Sequence, residues 1–311
     1  MSDFGAISGK RSAQVRSRIL PVRSAVLLPL VLFGLNCTTS PSDDSDGELP
    51  PRTDGQPETL RIATWNVENF PKNAATPQLL AESILALELD LMAIQEVADE
   101  DAFWDLVEDL PLYAGTLSPH EYFDGSYQKV GFLYRSDKLQ VGNIRVLFDH
   151  DGFSFPRPAY QATVTSRTTG ADFFAITLHL KAGRGNDNRE RRISAAQELA
   201  DHALKLATTD DDIVLLGDFN DVLTSNAGRS VFEPFLSAGF DIVTDELSDE
   251  GAYSFVPSMV MLDHIVASSA LTGEIVSESD SIPQLDFAIR NYDASLSDHL
   301  PVTFDITPIA D

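Results

Sequence analysis

Seven polar residues stand where apolar runs stop. Asn66 closes RIATWN and Glu96 closes LMAIQE. His179 sits near the end of FFAITLHL. Asp218 and Asn220 follow IVLLG, and Asp298 and His299 occur in SLSDHLPV, ahead of the last apolar run. A carboxylate directly after a buried apolar run is costly unless it is paired or metal-bound. Histidine is the side chain suited to moving a proton near neutral pH, and asparagine supplies donors without adding negative charge. Each residue has a plainer reading. Asn66 could be a turn former, Glu96 an uncharged or salt-bridged structural residue, Asp218–Asp221 a turn, and Asp298–Pro301 a loop entering a strand. Turn propensity does not explain all of them together in this order. Strand ends are a natural place to converge side chains on one site.

The elements that must carry these residues alternate between strand and helix. Residues 60–67, 90–97, 129–134, 140–147, 160–165, 172–180, 212–216, 262–267 and 302–306 read as strands. Residues 76–89 recur at helical spacing through Leu79, Leu80, Ile84 and Leu87, and residues 189–206 through Ile193, Ala196, Leu199 and Ala203. Residues 103–110 form a shorter helix. Several strands are apolar on both faces, so both faces must be covered. The expectation is α/β: packed sheets with helices outside, rather than a barrel with a solvent-facing wall. No later linker and no repeat interrupts residues 58–311, which suit one large catalytic domain.

The ordered motifs TWNVENF (64–70), IQEV (94–97), TLHLKA (177–182), GDFND (217–221), LDHI (262–265) and SDHLP (297–301) resemble the endonuclease/exonuclease/phosphatase superfamily, the DNase I-like fold. The resemblance covers about 240 residues, and GDFND with SDHLP is its most specific part. It implies a four-layered α/β sandwich with two central, mainly antiparallel sheets flanked by helices. It implies Glu96 as the principal divalent-metal ligand, Asn66 as a neighbouring metal and phosphate contact, and Asp298 near the metal. His299 matches the base that activates water, and Asp263 the carboxylate that orients it. Asp218 and Asn220 match residues that hold the attacking water, the phosphate or a second metal. His179 matches a histidine that bonds phosphate or assists the leaving group. Tyr127 matches a phosphate-touching tyrosine; a packed strand tyrosine is the equal alternative. The implied cofactor is Mg2+, with Mn2+ or Ca2+ as alternatives. These types suit phosphodiester hydrolysis. A hard cation with one or two carboxylates neutralises phosphoryl charge, and a histidine backed by a carboxylate deprotonates water.

Lys181 and Arg184, followed by Arg189, Arg191 and Arg192, make a local basic cluster, read either as backbone-phosphate contacts or as a solvated helix start. This segment also resembles a bacterial secreted, nuclease-like branch. Arg157, in FPRPAY, is a weaker candidate of the same kind. His202 reads as exposed on its helix, His264 as facing away from Asp263's side of its strand, and His120 and His150 as loop residues.

The chain has 311 residues, with 22 Lys and Arg against 48 Asp and Glu, a formal charge of −26. This acidity excludes broad electrostatic attraction as the main source of nucleic-acid affinity, although not a nucleic acid held locally through a metal. One cysteine excludes a disulfide framework or a multi-cysteine zinc site. Residues 1–36, with Lys10, Arg11, Arg16, Arg18 and Arg23 before an apolar stretch from Ala25 to Leu35, read as a signal peptide. That stretch is too short for a confident spanning helix. Cys37 follows it and looks like a lipidated lipoprotein cysteine; ordinary cleavage nearby and a plain free thiol are the alternatives. Residues 37–57 read as a flexible tether.

The expected protein is a secreted or surface-tethered (outer-surface or periplasmic) phosphodiesterase, a nuclease. A nucleic acid is its partner, the membrane is reached only through the N-terminal lipid, and no protein partner is expected. The rivals are a phosphomonoesterase or sphingomyelinase-like enzyme of the same superfamily, and a binding module that has lost catalysis.

Overall fold

A computed structural model describes residues 58–310. The expected signal peptide over 1–36, the expected tether over 37–57 and the expected lipidation of Cys37 lie outside the described residues. No helix among the described residues is long and apolar enough to cross a membrane.

Among the described residues, eleven strands make two mixed sheets. They are β1 (Leu60–Phe70), β2 (Leu91–Val97), β3 (Tyr113–Leu117), β4 (Lys129–Arg135), β5 (Leu139–Leu147), β6 (Ala159–Ser166), β7 (Asp172–His179), β8 (Ile213–Asp218), β9 (Phe240–Ile242), β10 (Asp263–Ser268) and β11 (Val302–Ile306). The first sheet has the order β11-β1-β2-β4-β3 and the second β5-β6-β7-β8-β10-β9. Only β1–β2 and β7–β8 pair in parallel. Each parallel pair is bridged by a helix, as parallel neighbours require: α1 (Thr76–Ala86) for the first and α3 (Asn186–Leu206) for the second. A shorter α2 (Glu100–Glu108) follows β2. This is the α/β sandwich that the sequence implies, with mainly antiparallel sheets flanked by helices.

Period-two alternation sorts the strand residues into layers. In β8, Val214 and Leu216 join the core between the sheets, whereas Ile213 and Leu215 join the core under α3. In β10, Ile265 and Ala267 face inward and Val266 outward. The α3 stripe of Ala195, Ala196, Leu199, Ala200 and Ala203 covers the outward set with small side chains, so the helix packs closely. Continuing the inward rows along β7, β8 and β10 reaches His179, Asp218 and Asp263. The inter-sheet core therefore ends in polar residues at one end of the sandwich.

Some element boundaries differ from expectation. Helix α1 stops at Ala86, and Glu88 takes a left-handed φ of 52°. Helix α2 begins at Glu100 because the Asp99 side chain accepts from the Ala102 amide at 3.1 Å, with Glu100 and Asp101 favouring the positive end of the helix dipole. Strand β3 and the three-residue β9 were not expected. His202 is half-buried rather than exposed, with Nε2 2.7 Å from Gln161 Oε1.

Candidate active site

Strand register lines up three of the side chains. Asp218 of β8 pairs with His179 of β7 on one side and with Asp263 of β10 on the other. Gly217 makes the first pairing possible, since a Cβ there would lie 2.0 Å from the Leu178 carbonyl oxygen. The first sheet contributes Asn66 from β1 and Glu96 from β2. Glu96 is re-aimed by an irregularity: its φ is 62°, and the β2–β4 register shifts between Ile94 and Val97. Its neighbour Gln95 donates across the sheets to Thr177 Oγ1 at 3.0 Å. His299 enters from the segment before β11.

These residues converge on Asp218 Oδ2. Asn66 Nδ2 donates to it at 3.1 Å and to Glu96 Oε1 at 3.1 Å. His179 Nε2 stands 3.3 Å from Asp218 Oδ2 and 3.7 Å from Glu96 Oε1. His299 Nε2 is 3.9 Å from Asp218 Oδ2 and 3.8 Å from Asp298 Oδ1. On its other side, His299 Nδ1 meets Asp263 Oδ2 at 2.6 Å. Asp218 Oδ1 accepts the Asn220 amide at 2.8 Å, and the Asn220 side chain donates to the Leu180 carbonyl at 3.3 Å. Eight of the anticipated residues thus lie in one continuous network: Asn66, Glu96, His179, Asp218, Asn220, Asp263, Asp298 and His299.

The electrostatics follow from this crowding. Burial, with Asp263 and Glu96 nearby, pushes the Asp218 carboxyl up to about 7 against the pull of His299. Burial and the neighbouring Glu68 and Glu96 lift Asp298 to about 6. Burial disfavours a charged His299, but Asp263, Asp218 and Asp298 outweigh it and raise the imidazole to about 10. His179 goes the opposite way: burial, with Arg157, His299 and Lys181 adding to it, holds it well below its ordinary value and so neutral. Asp263 Oδ1 and His179 Nδ1 are buried without hydrogen-bond partners. A cluster of hard oxygen donors with surplus buried negative charge fits a divalent cation. Asp218, Asp263 and His299 bring potential ligand atoms within 4.8 Å of one another, and Glu96 and Asp298 border them.

Three anticipated residues make no bond within this network. The Tyr127 hydroxyl accepts the Glu100 amide at 3.1 Å, at the start of α2. Lys181 Nζ donates to the Ala182 carbonyl at 3.0 Å, and Arg184 is exposed in the β7–α3 loop. The basic cluster around them is largely committed internally. Arg192 is buried and meets Asp221 Oδ2 at 2.6 Å, Arg189 meets the same atom at 3.1 Å, and Arg191 caps the Gly152 and Phe153 carbonyls. Arg157 is also buried.

The structure adds supporting residues. Gln128 Nε2 donates to Glu96 Oε2 at 3.0 Å, and the Asn69 amide donates to the same atom at 3.2 Å. Ser297 Oγ donates to the Asn66 carbonyl at 2.7 Å and accepts the His299 amide at 2.9 Å. Trp65 Nε1 and the Tyr292 hydroxyl donate to the His299 carbonyl at 3.0 and 2.5 Å. Ser297 lay within SDHLP and Gln128 beside Tyr127, but a side chain that bonds backbone or another residue's ligand carries no sequence signature.

The sequence profile of the endonuclease/exonuclease/phosphatase family matches residues 63–299. No curated protein matches the chain. Among solved structures, an endonuclease/exonuclease/phosphatase from Bacteroides vulgatus is 21% identical with a TM-score of 0.62, covering 81% of this chain and 99% of that one. A 3′ phosphatase from Neisseria bound to a product DNA hairpin is 18% identical with a TM-score of 0.61, covering 79% and 99%. A mannosyl-6-phosphatase from Bacteroides thetaiotaomicron is 17% identical with a TM-score of 0.56, covering 79% and 98%. At these identities the likeness to solved structures speaks to the fold; the profile match speaks to the family. The chain belongs to the endonuclease/exonuclease/phosphatase family.

Proposed function

With that membership as premise, we propose that the protein is a divalent-metal-dependent phosphodiester hydrolase acting on nucleic acid. The observation that carries the reading is the His299–Asp263 contact at 2.6 Å, opening onto Asp218, Asn66 and Glu96. Glu96, with Asp298 beside it, would hold the cation, with Mg2+ the expected ion. When bound, the cation compensates the crowded carboxylates and neutralises charge on the phosphoryl oxygens.

The chain's own residues do the rest. Without a cation the surrounding carboxylates hold His299 protonated, at about 10; a bound cation that compensates Asp218 and Asp298 would lower it, so that Nε2 can take a proton from water. Asp263, on Nδ1, fixes the tautomer and stabilises the imidazolium that forms. Asp218 and Asn220 orient the water, and Asn66 donates without adding charge. His179, held neutral, donates from Nε2 to a phosphate or leaving-group oxygen. Lys181 and Arg184 flank the end of β7 and supply contacts to neighbouring phosphates. The leader-like segment before Cys37 supports an exported protein, either tethered to a membrane by lipid on Cys37 or secreted.

The internal commitment of Arg189, Arg191 and Arg192 favours a second reading, a phosphomonoesterase, which needs fewer cationic contacts. The deciding experiment incubates the protein with plasmid DNA, RNA, sphingomyelin and a phosphomonoester, with Mg2+ or chelator, beside His299→Ala. Chelator-sensitive nucleic-acid cleavage that falls about 10²–10⁴-fold in the variant supports the proposal. Turnover of the monoester alone replaces the substrate, and full activity in His299→Ala refutes the mechanism.

A further inference from the structure

Arg157 lies in the loop between β5 and β6 with only 8% of its surface exposed. A buried guanidinium ordinarily has a carboxylate beside it. Here its acceptors are neutral oxygens, with the Tyr122 hydroxyl also beside it. Nη1 donates to Gln128 Oε1 at 2.9 Å, Nε to the His179 carbonyl at 3.3 Å and Nη2 to the Leu180 carbonyl at 2.9 Å. Gln128 stands immediately before β4 of the first sheet, and His179 ends β7 of the second. One planar fork therefore straps the two sheets together where the candidate site opens.

The strap also dictates how Gln128 faces. Arg157 takes the amide oxygen, which the Tyr122 hydroxyl also reaches at 3.3 Å, so the amide nitrogen is turned to Asn69 Oδ1 at 2.7 Å and Glu96 Oε2 at 3.0 Å. The opposite orientation would set an oxygen against two acceptors and an NH2 against a guanidinium. Neighbours on both sides thus demand the same amide. Glu96 is then held at both oxygens: Oε1 by Asn66, and Oε2 by Gln128 and the Asn69 amide.

We infer that Arg157 and Gln128 act in series as positioning residues that fix the Glu96 carboxylate for a divalent cation, touching neither the cation nor the substrate. This rests on Glu96 being a metal ligand, as proposed above. Removing the guanidinium fork leaves the Gln128 amide oxygen only the longer Tyr122 bond and loosens the amide, and removing Gln128 leaves Arg157 nothing to act through. The two losses should therefore not add.

The test titrates the purified chain with Mn2+, following free Mn2+ by electron paramagnetic resonance, with thermal unfolding alongside. It compares the parent with Arg157→Lys, Gln128→Ala, the double variant and Glu96→Gln. Arg157→Lys keeps the charge and loses the fork, so an effect there belongs to geometry rather than to the local field. Gln128→Ala removes a half-buried side chain that spans no sheet, and it carries the prediction even if Arg157→Lys does not fold. Each single variant should weaken Mn2+ binding at least about tenfold, and the double variant no further. If both singles bind Mn2+ like the parent while Glu96→Gln does not, the strap is overturned and the metal reading stands. If Glu96→Gln itself binds like the parent, the metal reading falls and takes the strap with it. Losses that multiply in the double variant overturn action in series.

Discussion

The two ends of the first sheet treat buried charge in opposite ways. At the end away from the candidate site, every buried carboxylate has a cation. Arg61 meets Asp305 through two parallel bonds at 2.8 and 3.0 Å, and Lys138 Nζ meets Asp90 at 2.8 Å, while Asp90 also accepts the Arg61 amide at 2.9 Å. At the other end, Glu96 of this sheet crowds with Asp218 and Asp263 of the second sheet and with Asp298 around two histidines, and the nearest buried guanidinium, Arg157, bonds only neutral oxygens. Closed pairs hold strands in register. An open cluster is poor at that, and it leaves negative charge available to something that is not part of the chain. Where charge stays uncompensated in a folded interior, the structure points to a ligand.

Three experiments bear on this contrast. The largest effect should come from breaking a closed pair. Asp305→Asn leaves Arg61 buried without its carboxylate, and chemical denaturation should show a loss of about 3–5 kcal/mol. Catalytic turnover should be unchanged under conditions where the variant is folded; a lost turnover with intact stability would erase the distinction between the two ends.

His264 sharpens the contrast within the site end, because it follows Asp263 but faces the other way, edge-on to Phe219 and Phe232. Its Nε2 lies 3.2 Å from the Asp221 carbonyl, so Nε2 carries the hydrogen and Nδ1 accepts from the Thr244 hydroxyl at 3.1 Å. The neutral ring is fully satisfied. Burial drives it down to about 4, with Asp263 opposing. Because this base is depressed in the fold, its contribution to stability is complete above the unfolded value near 6.5 and is lost as pH falls toward 4. The loss is about 3 kcal/mol at most. Urea unfolding at pH 7 and pH 4.5 should show a smaller difference in His264→Gln than in the parent; equal differences would remove His264 as the cause.

The smallest effect is a gain. Asp298 has been lifted to about 6 chiefly by burial, with Glu68 and Glu96 adding to it. In chelator at pH 8, Asp298→Asn should raise stability by about 1 kcal/mol, with weaker divalent-metal binding as the counterpart. A lower melting temperature would mean that the open end is closed by contacts of another kind.

How much of this could be read from the chain depends on the residue. The strands IVLLG and LMAIQEV announce themselves because burial on both faces demands unbroken apolar runs. The site's composition was equally legible, since its members end those runs. Strand β3 was hidden because it is five residues long, follows Pro111 closely and is interrupted by Gly115, which is required where Phe103 packs against it. The aim of Glu96 depends on a positive φ that a glutamate does not advertise. The arginines of α3 stayed open between phosphate contacts and a solvated helix start for a related reason. Sequence displays their charge but not their partner, and Asp221, whose Oδ2 both Arg189 and Arg192 meet, lies a whole helix and strand away.

Gly217 has one more consequence. Because β7 and β8 approach too closely there for any Cβ, the lateral spacing of His179 and Asp218 is set by backbone contact rather than by side-chain fit. Side-chain repacking alone therefore does not change that strand spacing. On the proposed function, choice between larger and smaller substrates falls to the loops around the site, such as 118–128, 148–158 and 252–262, which stand over two strands of fixed spacing.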